Sequence, residues 1–360
     1  MKRKITTLFI GPFSPPNSGD GVKNDYLREG FETENITNII WFDTIKREGG
    51  KIHHYFKLFR LMIKSQQIIL SLNVNGRYVI IPIFWLFSIC SKKMGVLYVI
   101  GGAFDKQLDN LKSSYRKIFV KMLKRLDGIF VESKALKIGI EKHGLNNVII
   151  IYNPRKDPGI RHILADNNRN KAVFISRVTD DKGVTVLMNA IESINKDGKH
   201  ISLDVYGPMD EKYNDYFKKH VADSNGIIKY KGVLKPDEVQ SILSDYHFLA
   251  LPTYHYGEGL PGILVEAGMT GIPIIITRHN ALPEYFTHNQ SALFVEPQDV
   301  ESLKTEILRL LDDDELYNTL NKGILKTIEP FKLEHVIDQS LEYMERRMWF
   351  FTRKYYDPIN

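Results

Sequence analysis

The sequence has little with which to staple itself, bind metal or enter a bilayer. One cysteine, Cys90, stands among 360 residues, so neither an intramolecular disulfide nor a cysteine-built zinc cluster can form. Such thiol usage reads as cytoplasmic rather than secreted and cross-linked. The eleven histidines contain no His-Glu-x-x-His spacing, which removes the commonest helical zinc signature. Long apolar runs are missing as well. The longest, Val79–Cys90, contains Pro82 and Ser88 and is well short of the roughly 20 residues that span a membrane. Met1-Lys-Arg-Lys before Ile5–Ile10 imitates a secretory leader. Its apolar part is too short, and Gly11-Pro12 follows without a small-residue cleavage site, so a first buried strand is expected. Internal repeats and low-complexity tracts are absent.

What is there is ordinary globular material. Hydrophobic residues make up 43% and charged residues 26%, which excludes a disordered or fibrous chain. The length suits two domains. Charge is unevenly placed. Residues 1–155 hold 25 Lys and Arg against 12 Asp and Glu, a balance of +13; residues 156–360 hold 24 against 31, or −7. The first half therefore suits an anionic partner. No RNA- or DNA-binding motif accompanies that charge, which favours an anionic membrane surface over nucleic acid.

Short apolar runs alternate with amphipathic stretches, the rhythm of βαβ units around parallel sheets. Strands are expected at residues 4–10, 38–42, 67–72, 96–100, 128–131 and 148–152, then at 172–176, 201–206, 227–230, 247–251, 272–276 and 292–295. Helical periodicity covers 22–34, 51–65, 76–92, 108–126 and 133–143 in the first half. In the second it covers 183–196, 211–222, 236–243, 261–270 and 300–311, with a last stretch at 333–351. The polar, proline-containing segment 153–170 reads as a linker. Domains are expected at 1–155 and 156–332, with 333–360 as a C-terminal helix.

Three segments carry chemistry. Glu258-Gly-Leu-Pro-Gly-Ile-Leu-Val-Glu266 places two carboxylates around a Gly/Pro loop and a helix start. Backbone N–H groups of Leu260, Gly262 and Ile263, on either side of Pro261 where the helix begins, suit an anion or a sugar hydroxyl. Ile175-Ser176-Arg177 through Lys182-Gly183 brings two cations to a strand end, where Arg binds phosphate oxygens bidentately and Lys acts as a point charge. Gly11 through Gly19-Asp20-Gly21 is a Gly/Pro-rich loop after the first strand.

These segments resemble the retaining glycosyltransferases of family 4. Glu258 and Glu266 match the Glu-x7-Glu signature, and Gly271-Ile-Pro-Ile-Ile and Ala281-Leu-Pro-Glu284 match the elements that follow it. The Arg177–Lys182 segment resembles the family's diphosphate-binding element, with Ser176 where a glycine is usual. Gly19 and Gly21 fall in the family's N-terminal phosphate loop, and Asp20 interrupts its glycine pair. Tyr206 and Gly207, and Gly232 and Val233, resemble the backbone lining of the base pocket.

The resemblance implies an α/β, GT-B fold: two Rossmann-like domains facing across a cleft, with a C-terminal helix crossing back to the first. It implies a hexosyltransferase-type enzyme that needs no metal or cofactor and uses a nucleoside-diphosphate sugar. The acceptor would be a glycan or lipid-linked glycan of cell-envelope or exopolysaccharide synthesis. Arg177, Lys182 and Glu258 would be catalytic, and Glu266 would hold the ribose. A nucleotide-sugar isomerase or hydrolase, and an inactive donor-binding subunit, are the alternatives.

Family members often have a histidine near Gly101-Gly102-Ala-Phe-Asp105; this sequence has none there, and Asp105 reads as a cap or an acceptor contact. Asp312-Asp313-Asp314 reads as a helix cap rather than a metal site. On residues 51–65, Ile52, Tyr55, Phe56, Phe59, Met62 and Ile63 share one helical stripe beside Lys57, Arg60 and Lys64. Residues 115–126 add Arg116, Lys117, Lys121, Lys124 and Arg125. Core packing with solvated basic faces and docking on anionic lipid are the two readings of such stretches. The basic tail from Arg346 to Tyr356 would strengthen that docking.

Overall fold

The computed structural model describes residues 5–13, 19–34, 38–46, 50–91 and 93–356; within helices, the side chains of residues 19, 20, 51, 90 and 348–356 are not described. The chain forms two compact units, Met1–Lys156 with Phe331–Asn360, and Asp157–Pro330. Arg155 and Lys332 form a parallel bridge, with Arg155 N–H donating to Phe331 O (3.0 Å) and Leu333 N–H to Arg155 O (2.9 Å). The outgoing and returning passages of the chain thus run side by side.

In the first unit the order is β1 (Thr7–Gly11), α1 (Gly19–Thr33), β2 (Ile39–Asp43), α2 (Lys51–Lys64), β3 (Gln67–Leu72), α3 (Val74–Cys90) and β4 (Met94–Val99). There follow α4 (Phe104–Asp109), α5 (Ser113–Leu123), β5 (Gly128–Val131), α6 (Lys134–Glu141) and β6 (Val148–Ile150). The strands form one parallel sheet in the order β2-β1-β3-β4-β5-β6. β1, β3, β4 and β5 are buried along their whole length, as strands covered on both faces must be. One face packs against α2, α3 and α5 through Leu58, Met62, Ile80, Phe84, Phe119 and Leu123. The other carries Phe9, Tyr98 and Phe130 against Leu27 and Phe31 of α1 and against Val336 and Ile337 of the C-terminal helix.

The second unit contains β7 (Lys171–Ile175), α7 (Val184–Lys196), β8 (Ser202–Tyr206), α8 (Asn214–Asp223), β9 (Ile228–Gly232), α9 (Val239–Leu243) and β10 (Phe248–Leu251). It continues with α10 (Gly262–Thr270), β11 (Ile274–Thr277), α11 (Leu282–Tyr285), β12 (Leu293–Val295), α12 (Val300–Asp312) and α13 (Asp314–Ile328). Its parallel sheet runs β12-β11-β10-β7-β8-β9. The direction of strand addition therefore reverses between β7 and β10. Crevices at such reversals, beyond the carboxyl ends of the strands, are where open α/β sheets take ligands. The last helix, α14 (Leu333–Tyr356), belongs to the first unit.

Two expectations need correction. The helix expected at 108–126 is two helices, α4 and α5, separated by Asn110–Lys112. The helix expected from Pro236 begins only at Val239; Pro236–Glu238 form a turn. The two units divide after Lys156, inside the segment 153–170, and His162 N–H in its later part donates to Thr270 O of the second unit at 2.7 Å. Asp313 takes the capping role read for the aspartate run, accepting from Leu316 N–H at 2.8 Å. Residues 14–18 of the Gly11–Gly21 loop lie outside the described residues, and Gly19 and Gly21 open α1.

Candidate functional site

The second unit gathers the predicted residues at the carboxyl ends of its strands. β7 ends at Ile175, and the chain passes through Ser176, Arg177 and a 3-10 turn, Asp180–Lys182, into α7. Two glycines make this path possible. Gly183 adopts φ +81°, and a Cβ there would fall 2.0 Å from Pro252 O; a Cβ on Gly207 would fall 1.7 Å from Ser176 O. The loops after β7, β8 and β10 are thereby in backbone contact. Tyr206 and Gly207 close β8, and Gly207 N–H donates to Gly232 O at the end of β9 (2.8 Å). Tyr206 is buried and exchanges a hydroxyl hydrogen bond with Tyr246 (3.0 Å). Val233 is exposed.

Lys182 and Glu258 form a direct ion pair, with side chains 8% and 9% exposed. Thr253 Oγ1 donates to the same Glu258 oxygen, Oε2, at 2.8 Å. Each side chain thus has its polar end met by a partner inside the protein, as groups this buried require. Glu258 precedes the Leu260–Pro261 segment, where Leu260 is buried and Pro261 occupies the cap of α10. Gly262 and Ile263 open α10, and the N–H groups of a first turn have no intrahelical acceptor. Glu266 lies in the second turn, 7% exposed, in a helix that is buried from Leu264 to Thr270.

Arg177 is exposed and lines an open depression of about 420 Å³ with Asp180, Asp181, Lys212, Tyr213 and Tyr254. The Tyr254 hydroxyl donates to Asp180 Oδ2 (2.7 Å). Burial pushes Tyr213 up to about 12, and burial with the Asp180 contact does the same to Tyr254. Both phenols therefore remain hydrogen-bond donors at neutral pH. Arg177 thus stands on the rim of the depression, while Lys182 is engaged with Glu258.

Sequence reasoning missed a second layer that ties the β7 and β10 loops together. His255 Nδ1 lies 2.5 Å from Asp181 Oδ2, and Tyr254 N–H donates to Asp181 O (2.9 Å). Thr179 Oγ1 donates to Asp181 Oδ1. Burial raises the Asp181 pKa, but these hydrogen bonds and the Lys182 charge outweigh it and hold the carboxyl below the usual range. Asn280, at φ +47°, directs its amide toward the carbonyls of His255, Tyr256 and Glu258, each at 3.3 Å. The available signal was adjacency: Asp181 precedes Lys182, and His255 stands three residues before Glu258.

In the first unit, Gly21 is buried in the first turn of α1, beside Gly19. Asp105 lies in the first turn of α4, pressed against α6, where a Cβ on Gly139 would fall 2.5 Å from its carboxylate.

Residues 155–326 match the family described as Glycosyl transferases group 1. An uncharacterized glycosyltransferase of Methanocaldococcus jannaschii is 27% identical over 213 residues, 59% of this chain and 57% of that one. The amylovoran biosynthesis glycosyltransferase AmsK of Erwinia amylovora is 26% identical over 146 residues, 39% of this chain and 35% of that one. The chain thus spans roughly half or less of the length of these two curated relatives. Among solved structures, Anabaena HepE in complex with UDP superposes with a TM-score of 0.76 at 14% identity, over 95% of this chain and 100% of that one. That likeness shows the GT-B fold, with its two Rossmann-like domains. The segment similar to the glycosyl transferases group 1, residues 155–326, is the one that carries Arg177, Lys182, Glu258 and Glu266.

Proposed function

We propose that the protein is a retaining, metal-independent glycosyltransferase of family 4. It moves a hexosyl group from a nucleoside-diphosphate sugar to a hydroxyl of a glycan or lipid-linked glycan. The observation that carries this reading is the convergence of Lys182 and Glu258, from loops 76 residues apart, at the reversal point of the second sheet.

In this reading the bond between the anomeric carbon and the diphosphate oxygen breaks as negative charge collects on the diphosphate. Arg177, Lys182 and the first N–H groups of α10 stabilise that charge, the kind of preorganised electrostatics that dominates many rate enhancements. The acceptor oxygen bonds to the anomeric carbon on the face the diphosphate leaves, and its proton passes to the departing phosphate oxygen. Glu258 accepts hydrogen bonds from donor-sugar hydroxyls, and Glu266 from the ribose. Tyr206, Gly207, Gly232 and Val233 line the base. Gly19 and Gly21 approach the donor phosphate, and the first unit takes the acceptor. No separate cofactor is required.

The Anabaena neighbour's complex with UDP supports a nucleotide donor. The Erwinia relative's part in amylovoran biosynthesis supports an envelope or exopolysaccharide product. The workplace in this reading is the cytoplasmic face of the plasma membrane, with the protein held peripherally.

The test is a panel of nucleotide sugars read by ligand-induced thermal stabilisation, followed by transfer to a glycan acceptor. Stabilisation by one donor, and a product whose anomeric proton coupling matches that donor, are expected. Donor hydrolysis at the same rate with and without acceptor would instead establish a hydrolase.

A further inference from the structure

α2, α3 and α5 share one face of the first sheet, and their outer sides are apolar too. Ile52 and Phe56 on α2 are 87% and 57% exposed, and Leu86 on α3 is 60% exposed; Phe59, Ile89 and Ile118 are also exposed. The patch is continuous from α2 to α3, since the Phe59 and Phe87 rings meet at 4.7 Å. α3 is apolar almost all round (VNGRYVIIPIFWLFSIC), a pattern that belongs to a helix covered on every side. Clustered exposed apolar side chains on a packed domain mark an interaction surface.

Charge selects the occupant. Between Glu48 and Asp105 the chain has no acidic residue at all. Lys57, Arg60 and Lys64 punctuate α2, and Arg116, Lys117 and Lys121 punctuate α5, which also lacks acids. The Arg60 guanidinium lies 5.8 Å from the Phe56 ring centroid, which puts cation and apolar ring side by side. A second copy docked through this face would oppose two cationic surfaces. An anionic bilayer satisfies both halves of the patch: acyl chains take the aromatic and branched side chains, and headgroup phosphates take the Lys and Arg heads.

We propose that the outer face of α2, α3 and α5 is an interfacial membrane-docking surface. It buries Ile52, Phe56 and Leu86 below the headgroups of an anionic bilayer while Lys57, Arg60 and Lys64 bind phosphates. This names the surface for the peripheral placement above. It does not rest on transfer activity, because vesicle binding is read without donor, so either reading can fail alone.

The experiment is co-sedimentation of the full chain with phosphatidylcholine vesicles and with vesicles in which about a third of the lipid is anionic phosphatidylglycerol. Wild type is expected to bind the anionic vesicles at least ~10-fold more tightly. Ile52→Ser/Phe56→Ser/Leu86→Ser is expected to lose at least ~10-fold of that binding at low and at high salt. Lys57→Gln/Arg60→Gln/Lys64→Gln is expected to lose it mainly at low salt. All six side chains are on the surface, and unchanged thermal unfolding confirms folded variants. Equal binding to both vesicles would overturn the proposal. So would undiminished binding by the apolar variant, or a wild-type dimer that the apolar variant converts to monomer.

Discussion

Arg177 and Lys182 are five positions apart in the sequence, yet they make different demands on the fold. Lys182 is buried against Glu258, so its removal strands a carboxylate in a low-dielectric site, at a cost of about 3–5 kcal/mol. Arg177 is exposed beside the depression that Tyr213 and Tyr254 line, and its removal strands nothing. Arg177→Ala is therefore expected to keep the unfolding temperature within ~1 °C while kcat falls about 10²–10³-fold. Lys182→Met is expected to lower both. Thermal scans and initial rates on the two variants separate the cases; an Arg177→Ala enzyme with unimpaired kcat would remove Arg177 from the chemistry. The contrast was invisible in the sequence. Motif spacing presented both cations as phosphate ligands, whereas the partner that buries Lys182 comes from a loop more than seventy positions downstream. His255 and Asn280 escaped for the same reason, since each acts through atoms that only folding brings near.

At the scale of elements, the strands were the legible part. Buried parallel strands read as unbroken apolar runs, and Gln67–Leu72 and Gly128–Val131 show it in full. Helix ends were less legible. The split between α4 and α5 follows no proline or glycine, and α13 hides behind the aspartates that cap it, although Leu316, Leu320, Ile324 and Ile328 keep a four-residue period.

The segment before β7 holds a consequence for pH. His162 from that segment contacts Ser244 O (3.0 Å) and the Tyr317 hydroxyl of α13. The ring of His247, at the start of β10, lies 5.1 Å from that of Tyr317. Burial, with Arg169 and His162 nearby, pushes His247 down to about 4, and burial lowers His162 as well. Asp245 and Asp314 act weakly the other way. The folded state thus resists protons that the unfolded chain accepts near pH 6.5. Stability from this cluster is complete above that pH and is lost as the pH falls toward 4. For His247 alone the loss at pH 5 is ~2 kcal/mol, or roughly 5 °C for a domain of this size. Asp25 and Asp127 of the first unit, raised by burial, contribute in the opposite sense. The difference between wild type and His247→Phe in unfolding temperature from pH 7 to pH 5 therefore isolates the effect. Parallel curves for the two proteins would refute it.

At the scale of the whole molecule, the chain leaves the first unit at Lys156 and returns to it at Phe331. The returning helix α14 is part of that unit's core rather than an appendage. Val336 and Ile337 are fully buried against the face of the sheet that holds Phe9, Tyr98 and Phe130. α1 makes room for it at Gly30, where a Cβ would come within 2.4 Å of Ile337. The Tyr343 hydroxyl donates to Asp127 O at 2.6 Å, beside β5. Deleting a single buried aliphatic side chain of this kind costs about 2–5 kcal/mol, a large part of the 5–15 kcal/mol that holds a domain together. Ending the chain at Pro330 removes Leu333, Val336, Ile337 and Met344 at once, and exposes the sheet face beneath them. Calorimetry of that shortened chain is expected to lose the first unit's cooperative transition at physiological temperature and to retain the second's. Two transitions at their original temperatures would show that the first unit closes its core without α14.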